Sequence, residues 1–331
     1  MWTRSGLKYQ AKENLRGKYW KAFVVSLLVS LLTSGTGSYG WGFNFGDHNV
    51  FSRGSSFRPW HGEPFSGNFS FNMPFETFFD SRVIILLMLF GIFAGLIALA
   101  YSIFIAPVIE VGGNRWYSRS RESQATPSIG QLFYMFRYGN FLTVVGSMFW
   151  KNLFLFLWGL LALIPTAVLA VLAIARVISL QFFRQNMTED MMERFLSEAL
   201  LLFAVWIIGS IAFSIPVIIK SYSYRMTPWI LGDNARIGYK RALKLSMSMT
   251  SGHKFDMFLL DLSFIGWFLL GILACGIGVI FVVPYYAAVQ AELFATLRHN
   301  AVEQKLTSME EMGFIPVNQR GNTRENIVIP D

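Results

Sequence analysis

A single cysteine, Cys275, stands among the 331 residues, so no intrachain disulfide can form and no thiolate cluster can hold zinc. The cysteine lies inside an apolar run and gives no information on redox compartment. Charge is equally scarce, at 15% of residues. No nucleophile elbow, phosphate loop, zincin helix or paired His/Asp constellation occurs, and the four histidines (His48, His61, His253 and His299) fall in segments assigned below to opposite sides of a membrane. Asp47, His48, His61 and Glu63 match no ligand spacing. The expectation is therefore a protein without enzymatic activity, catalytic residues, cofactor or metal centre.

What the chain does contain is apolar mass. Hydrophobic residues make up 53% and aromatic residues 16% of it, with a mean hydropathy of +0.44, beyond the range of an ordinary soluble domain. The formal net charge of +8 is spread over short segments between apolar runs, which argues against a nucleic-acid surface and for membrane topology. The basic stretch Arg4, Lys8, Lys12, Arg16, Lys18 and Lys21 before the apolar Ala22–Leu32 has the look of a signal peptide. The long basic region and the poor cleavage site at Thr33-Ser34-Gly35 make it a first span instead.

Runs able to cross a core of about 30 Å extend over Trp20–Ser34, Val83–Ile109, Phe141–Leu180, Ala199–Ile219 and Asp256–Leu297. Gly276-Ile277-Gly278 can turn the last run back on itself, and the third reads as one tilted or Pro165-kinked helix, giving six crossings. Of the 28 Lys and Arg residues, 21 lie before Ala22, in Glu110–Asn140, in Lys220–Phe255 and after Leu297. The alternate segments, Ser34–Arg82 and Leu180–Glu198, hold five, so the positive-inside rule places both termini in the cytoplasm of a cell-membrane protein. The loop 34–82, rich in Gly and Phe, is expected to be extracytoplasmic and flexible, and the tail 298–331 cytoplasmic and frayed.

The same runs form three helical hairpins, each entered through a glycine and an aromatic: Gly17-Lys18-Tyr19-Trp20, Gly139-Asn140-Phe141 and Gly252-His253-Lys254-Phe255. Each returning helix carries a proline, Pro107, Pro216 or Pro284. Semi-polar helical stretches precede the first and third glycines. In the first, residues 1–19, Leu7, Ala11 and Leu15 recur at four-residue spacing, predicting an interfacial helix with Lys8, Lys12 and Arg16 toward anionic headgroups. Asp233 or Asn234 would cap the later one. Trp20, Tyr222, Tyr224 and Trp229 read as interface anchors, and Gly91 with Gly95 as a close-packing helix face that could serve a homo-oligomer or a membrane-protein partner.

Of the ionisable residues in or beside the spans, Glu110 and Asp256 are expected at the cytoplasmic boundary, and Arg176 snorkels outward. Lys151, Asp261 and Glu292 remain. A carboxylate within Met257–Trp267 costs about 3 kcal/mol on insertion scales, so it should face protein or water. One reading pairs Lys151 with Asp261 to lock two hairpins; the other makes Asp261 or Glu292 a proton or cation site.

Several motifs in order, Lys220-Ser221-Tyr222-Ser223-Tyr224-Arg225-Met226-Thr227-Pro228-Trp229, Ala242-Leu243-Lys244-Leu245-Ser246, Gly252-His253-Lys254, Asp261-Leu262-Ser263-Phe264-Ile265-Gly266-Trp267 and Pro284-Tyr285-Tyr286, resemble the domain of unknown function 975 family of bacterial integral membrane proteins. Leu15-Arg16-Gly17-Lys18-Tyr19-Trp20 and Gly112-Gly113-Asn114-Arg115 fit it too. In that family Leu157–Pro165 joins almost directly to the Tyr-Ser-Tyr segment, so 166–214 reads as an insertion. The resemblance implies an all-α polytopic membrane protein and no known activity. The functional expectation is a single membrane domain, 1–331, that organises the membrane or responds to envelope stress; the alternative is a small transporter or lipid-handling protein with a cavity near Asp261, Glu292 and Lys151.

Overall fold

A computed structural model describes residues 2–33, 81–123, 125–137, 139–183, 189–274 and 276–314. These are helical: α1 (Arg4–Leu15), α2 (Tyr19–Thr33), α3 (Ser81–Phe104), α4 (Ala106–Glu122), a 3-10 segment (Ile129–Phe136), α5 (Phe141–Ala162), α6 (Ile164–Phe183), α7 (Glu189–Tyr224), α8 (Thr227–Asp233), α9 (Tyr239–Met249), α10 (Lys254–Leu273) and α11 (Ile277–Glu303). Among the described residues five helical stretches are long and apolar enough to cross a membrane, and α2 is a shorter apolar helix of 15 residues. The loop 34–80, with its His and acidic residues, and the tail 315–331 lie outside the described residues.

The three entry glycines share a backbone conformation. Gly17 (φ +76), Gly139 (φ +89) and Gly252 (φ +79) each adopt the left-handed conformation immediately before α2, α5 and α10. A side chain there would be strained, which is why the same residue type recurs at each entry. Each glycine reverses the chain out of a short, partly polar element: α1, the 3-10 segment and α9. The 3-10 segment was not foreseen, because its hydrophobic spacing follows a three-residue rather than a four-residue turn. The fifth apolar run does turn at Gly276 (φ +78), and Gly271 and Gly278 let α10 and α11 touch there: a Cβ on Gly271 would lie 2.7 Å from the Val279 nitrogen.

The third run is not one smooth helix. It breaks at Leu163 into α5 and α6, which together lie antiparallel to α7: Phe154 meets Tyr224 at 6.4 Å between ring centroids, Lys220 sits over the Trp158 ring at 5.0 Å, Pro165 abuts Gly209, and Arg176 pairs with Glu198 at 2.5 Å. The segment 166–214 therefore lengthens one hairpin and adds no new domain to its base.

Packing concentrates in the elements that are not the most apolar. Nearly all of α4, the whole of α8, the inner face of α9 and α11 from Tyr286 to Leu297 are buried, with Trp116 and Leu132 fully enclosed. Gly112 is indispensable to this core, since a Cβ would collide with the Leu132 carbonyl of the 3-10 segment. By contrast none of the apolar windows of α3, α5–α6 or α7 is buried. Outward-facing apolar side chains of this extent are what a lipid solvent covers.

Three expectations about faces change. Leu7, Ala11 and Leu15 do form one apolar stripe, but at 2%, 0% and 7% exposure they pack into the protein core beside α11 and not into headgroups. Lys8 turns inward with them, donating to the Ser263 carbonyl at 3.3 Å and sitting over the Phe264 ring at 4.5 Å. Tyr224 and Trp229 are also core residues, Trp229 stacking on Phe294, and Tyr222 is half-buried with its hydroxyl turned to Asp261, whereas Trp20 is exposed as an anchor would be. Finally, α9 starts after Gly238 and is capped by neither Asp233 nor Asn234; the Asn234 side chain accepts from the Arg236 N–H instead.

Candidate functional site

Asp261 sits in α10, two turns from its start, and its side chain is enclosed by residues of α7 and α11. Arg225, at the foot of α7, meets it with both terminal nitrogens, Nη1 to Oδ2 at 2.5 Å and Nη2 to Oδ1 at 3.0 Å. Tyr222 donates to Oδ2 at 2.7 Å, Tyr286 to Oδ1 at 3.0 Å and the Gln290 amide to Oδ1 at 3.4 Å. Tyr222 in the last turn of α7 and Arg225 just after its end are three apart, and Tyr286 and Gln290 are four apart on α11, so each pair projects to one side. A carboxylate offers about four lone-pair sites, and these donors account for all of them. The guanidinium fork also matches the carboxylate plane and donates to the Tyr286 hydroxyl, closing the network.

Two further clusters lie along other faces of α11. Glu292 accepts from Arg121 of α4 at 2.7 Å and from the Asn14 amide of α1. Arg298 donates to Asp233 of α8 at 2.6 Å and to Glu122 of α4 at 2.8 Å, with its guanidinium 4.4 Å from the Phe314 ring centroid. Arg115 of α4 reaches the Gly232 carbonyl at 2.8 Å, where a glycine brings α8 against α4.

Lys151, Asp261 and Glu292 are thus not brought together. Lys151 faces Glu110 of α4 at 3.6 Å, and Asp261 is taken by Arg225; the expected Lys151–Asp261 pair does not form. Glu110 is a buried partner of Lys151, while Arg176 meets Glu198 with both side chains about half exposed. Arg225 and Tyr286 stand in the Tyr-Ser-Tyr-Arg and Pro-Tyr-Tyr motifs, but nothing in the sequence reading links either of them to Asp261; the three meet only through packing of the helices. A side chain at Gly91 or Gly95 would meet nothing within 4 Å, so among the described residues this small-residue face is unused.

Away from the apolar helices, Arg241 of α9 holds Glu311 through Nε at 2.5 Å and Nη2 at 2.8 Å, which keeps the Glu311 carboxyl low, at about 2. Asn234 donates to the Glu311 carbonyl at 2.9 Å. The tail expected to fray from Arg298 is therefore fastened as far as Phe314.

Residues 75–301 match the model of a family described as protein of unknown function (DUF975), and the chain belongs to that family. The match takes in the Asp261 cluster and leaves α1 and α2 outside. No curated protein and no solved structure matches the chain.

Proposed function

Starting from membership of a family without an assigned activity, we propose that this protein is a non-enzymatic organiser of the cell membrane, with both termini in the cytoplasm, a rim of basic side chains gathering anionic lipid and buried ion pairs holding its hairpins in one arrangement. The observation that carries this reading is the saturation of Asp261: its oxygens are fully engaged by Arg225, Tyr222, Tyr286 and Gln290. A carboxylate that carries a proton or cation needs an oxygen free to receive it, and this one has every oxygen engaged by a neighbour. The orientation rests on the basic asymmetry of the sequence. The exposed Lys12, Arg16, Lys21, Arg236, Lys240 and Lys244 lie on the elements that would face the inner leaflet, and each cation near an anionic surface contributes about 1 kcal/mol, less as ionic strength rises.

The test is to extract the protein with its surrounding lipid in polymer-bounded discs. Anionic lipid should be enriched at least twofold over the bulk membrane, and the enrichment should fall when Lys12, Arg16, Lys240 and Lys244 are replaced by Gln. A lipid composition equal to bulk, or a proton flux in proteoliposomes that disappears with Asp261→Asn, would overturn the reading.

A further inference from the structure

The exposed apolar surface is longer than one bilayer, and three helices agree on where the bilayer core falls. On the α5–α6/α7 hairpin the stretch without charge is bounded by Lys220 over Trp158 at one end and by the Arg176–Glu198 pair at the other. The separation is about 27 Å along α5–α6 and about 33 Å along α7 at 1.5 Å per residue. The lower level carries across to α3. Lys151 meets Glu110, and α5 rises from the end at which α4 arrives, so seven residues along each helix bring Trp158 level with Ile103. From there α3 runs back with no charged residue until Arg82, a rise of about 32 Å. All three lengths match a core of about 30 Å.

The third hairpin does not reach across that slab. Asp261 lies level with Tyr222 and Arg225, so Phe264 is level with Lys220. From Phe264 to Ala274, where α10 ends and the chain turns, is ten residues, about 15 Å and half of the core. The tip is also the wrong kind of tip for water: no charged residue occurs between Asp261 and Glu292, and Leu273 and Ile277 flank the turn at 80% and 61% exposure. Its backbone is prepared for hydrocarbon, since the Ala274 and Gly276 N–H groups donate to Leu270 and Ile272 and the Val279 N–H to Gly276.

We infer that α10–α11 is a re-entrant hairpin: it enters the bilayer core from the side carrying Asp261, turns at Gly276 near the mid-plane and leaves by the same side, with acyl chains of the opposite leaflet covering its tip. Its partner is the lipid interior. Lys151, Glu110, Arg225, Asp261 and Lys220 then all lie at or below the lower core boundary, which removes the hydrocarbon penalty that made Asp261 anomalous in sequence. The placement holds whichever side is cytoplasmic.

Full-length protein carrying Cys275→Ser and a single added cysteine tests this in sealed membranes. Arg194→Cys and Lys244→Cys should each react with a membrane-impermeant maleimide from one side, opposite to each other. Ala274→Cys should react at least tenfold more slowly than either, from both sides, yet fully once the membrane is dissolved in detergent. A fluorophore attached at residue 274 should be quenched most by lipids brominated near the chain ends. Rapid labelling of residue 274 from the Arg194 side, or strongest quenching by lipids brominated beside the headgroup, would overturn the inference. Arg194 reacting from the cytoplasm would instead refute the proposed orientation and leave the hairpin intact.

Discussion

Removing Arg225 leaves the Asp261 carboxylate buried with tyrosine and glutamine donors but no opposing charge. Breaking a buried ion pair from one side costs about 3–5 kcal/mol, because the remaining charge is uncompensated, whereas removing both partners also removes that penalty. Arg225→Met and Asp261→Asn should therefore each destabilise the protein strongly. The double variant should lose less than the sum by about 2 kcal/mol or more, the coupling expected of residues in direct contact. Arg225 donates through two nitrogens and also to Tyr286, so its loss should be the larger of the two. Lys151→Ala combined with Asp261→Asn should be additive within about 0.5 kcal/mol, because Lys151 is committed to Glu110 in a separate contact. Unfolding by SDS titration in mixed micelles, followed by tryptophan fluorescence, measures all five variants against the parent. Additivity of Arg225→Met with Asp261→Asn, or strong coupling of Lys151 to Asp261, would refute the network.

Three helical glycines separate a packed helix face from an open one. Gly112→Ala should destabilise by about 1–3 kcal/mol, the usual effect of overpacking, by forcing the 3-10 segment off α4, whereas Gly91→Ala and Gly95→Ala should leave the monomer unchanged in the same titration. The Arg241–Glu311 clamp gives a pH dependence. With its carboxyl held at about 2 against an ordinary 4.5, Glu311 stabilises the tail fully above pH 4.5 and loses that contribution as pH falls toward 2. Both side chains are about a third exposed, so the effect is about 1 kcal/mol or less. A spin label at Met309 should become mobile over that interval, and Glu311→Gln should show the mobile spectrum already at pH 6; a spectrum indifferent to both would discard the clamp.

The membrane class, the apolar runs, the Gly276 turn and the three entry glycines were legible because each rests on local chemistry: hydropathy over twenty residues, or a backbone conformation that one residue type tolerates. The apolar stripe of α1 was legible as a stripe, yet what covers it was not. Four-residue spacing says that a face is buried and is silent on whether lipid or α11 buries it. The ion pairs failed for the same reason. Lys151 and Asp261 are both unusual within their helices, and pairing unusual residues passed over Glu110, which reads as a boundary residue, and Arg225, which stands in the sequence only as part of the Tyr-Ser-Tyr-Arg motif. Pairing across 36 or more positions is a property of tertiary packing that no periodicity encodes.

The distribution of those pairs has its own logic. Lys151–Glu110 joins the second hairpin to the first, Asp261–Arg225 the third to the second, Glu292–Arg121 the third to the first, and Arg298 reaches both of the others through Asp233 and Glu122. Each of these buried contacts runs between hairpins, whereas the half-exposed Arg176–Glu198 pair lies within one. Apolar helix faces in lipid have little reason to choose one another, since acyl chains solvate them as well as a neighbouring leucine does. Three similar hairpins could then pack in several orders. Charges placed at the feet of the hairpins, just where the acyl chains end, penalise every order that leaves one of them without its opposite. On this argument the ion pairs contribute more to which arrangement forms than to how stable it is. Replacing the whole Arg225–Asp261 network by apolar residues of matching volume should therefore preserve stability while permitting more than one set of inter-hairpin cysteine cross-links; a single unchanged cross-link pattern would show that packing alone specifies the order.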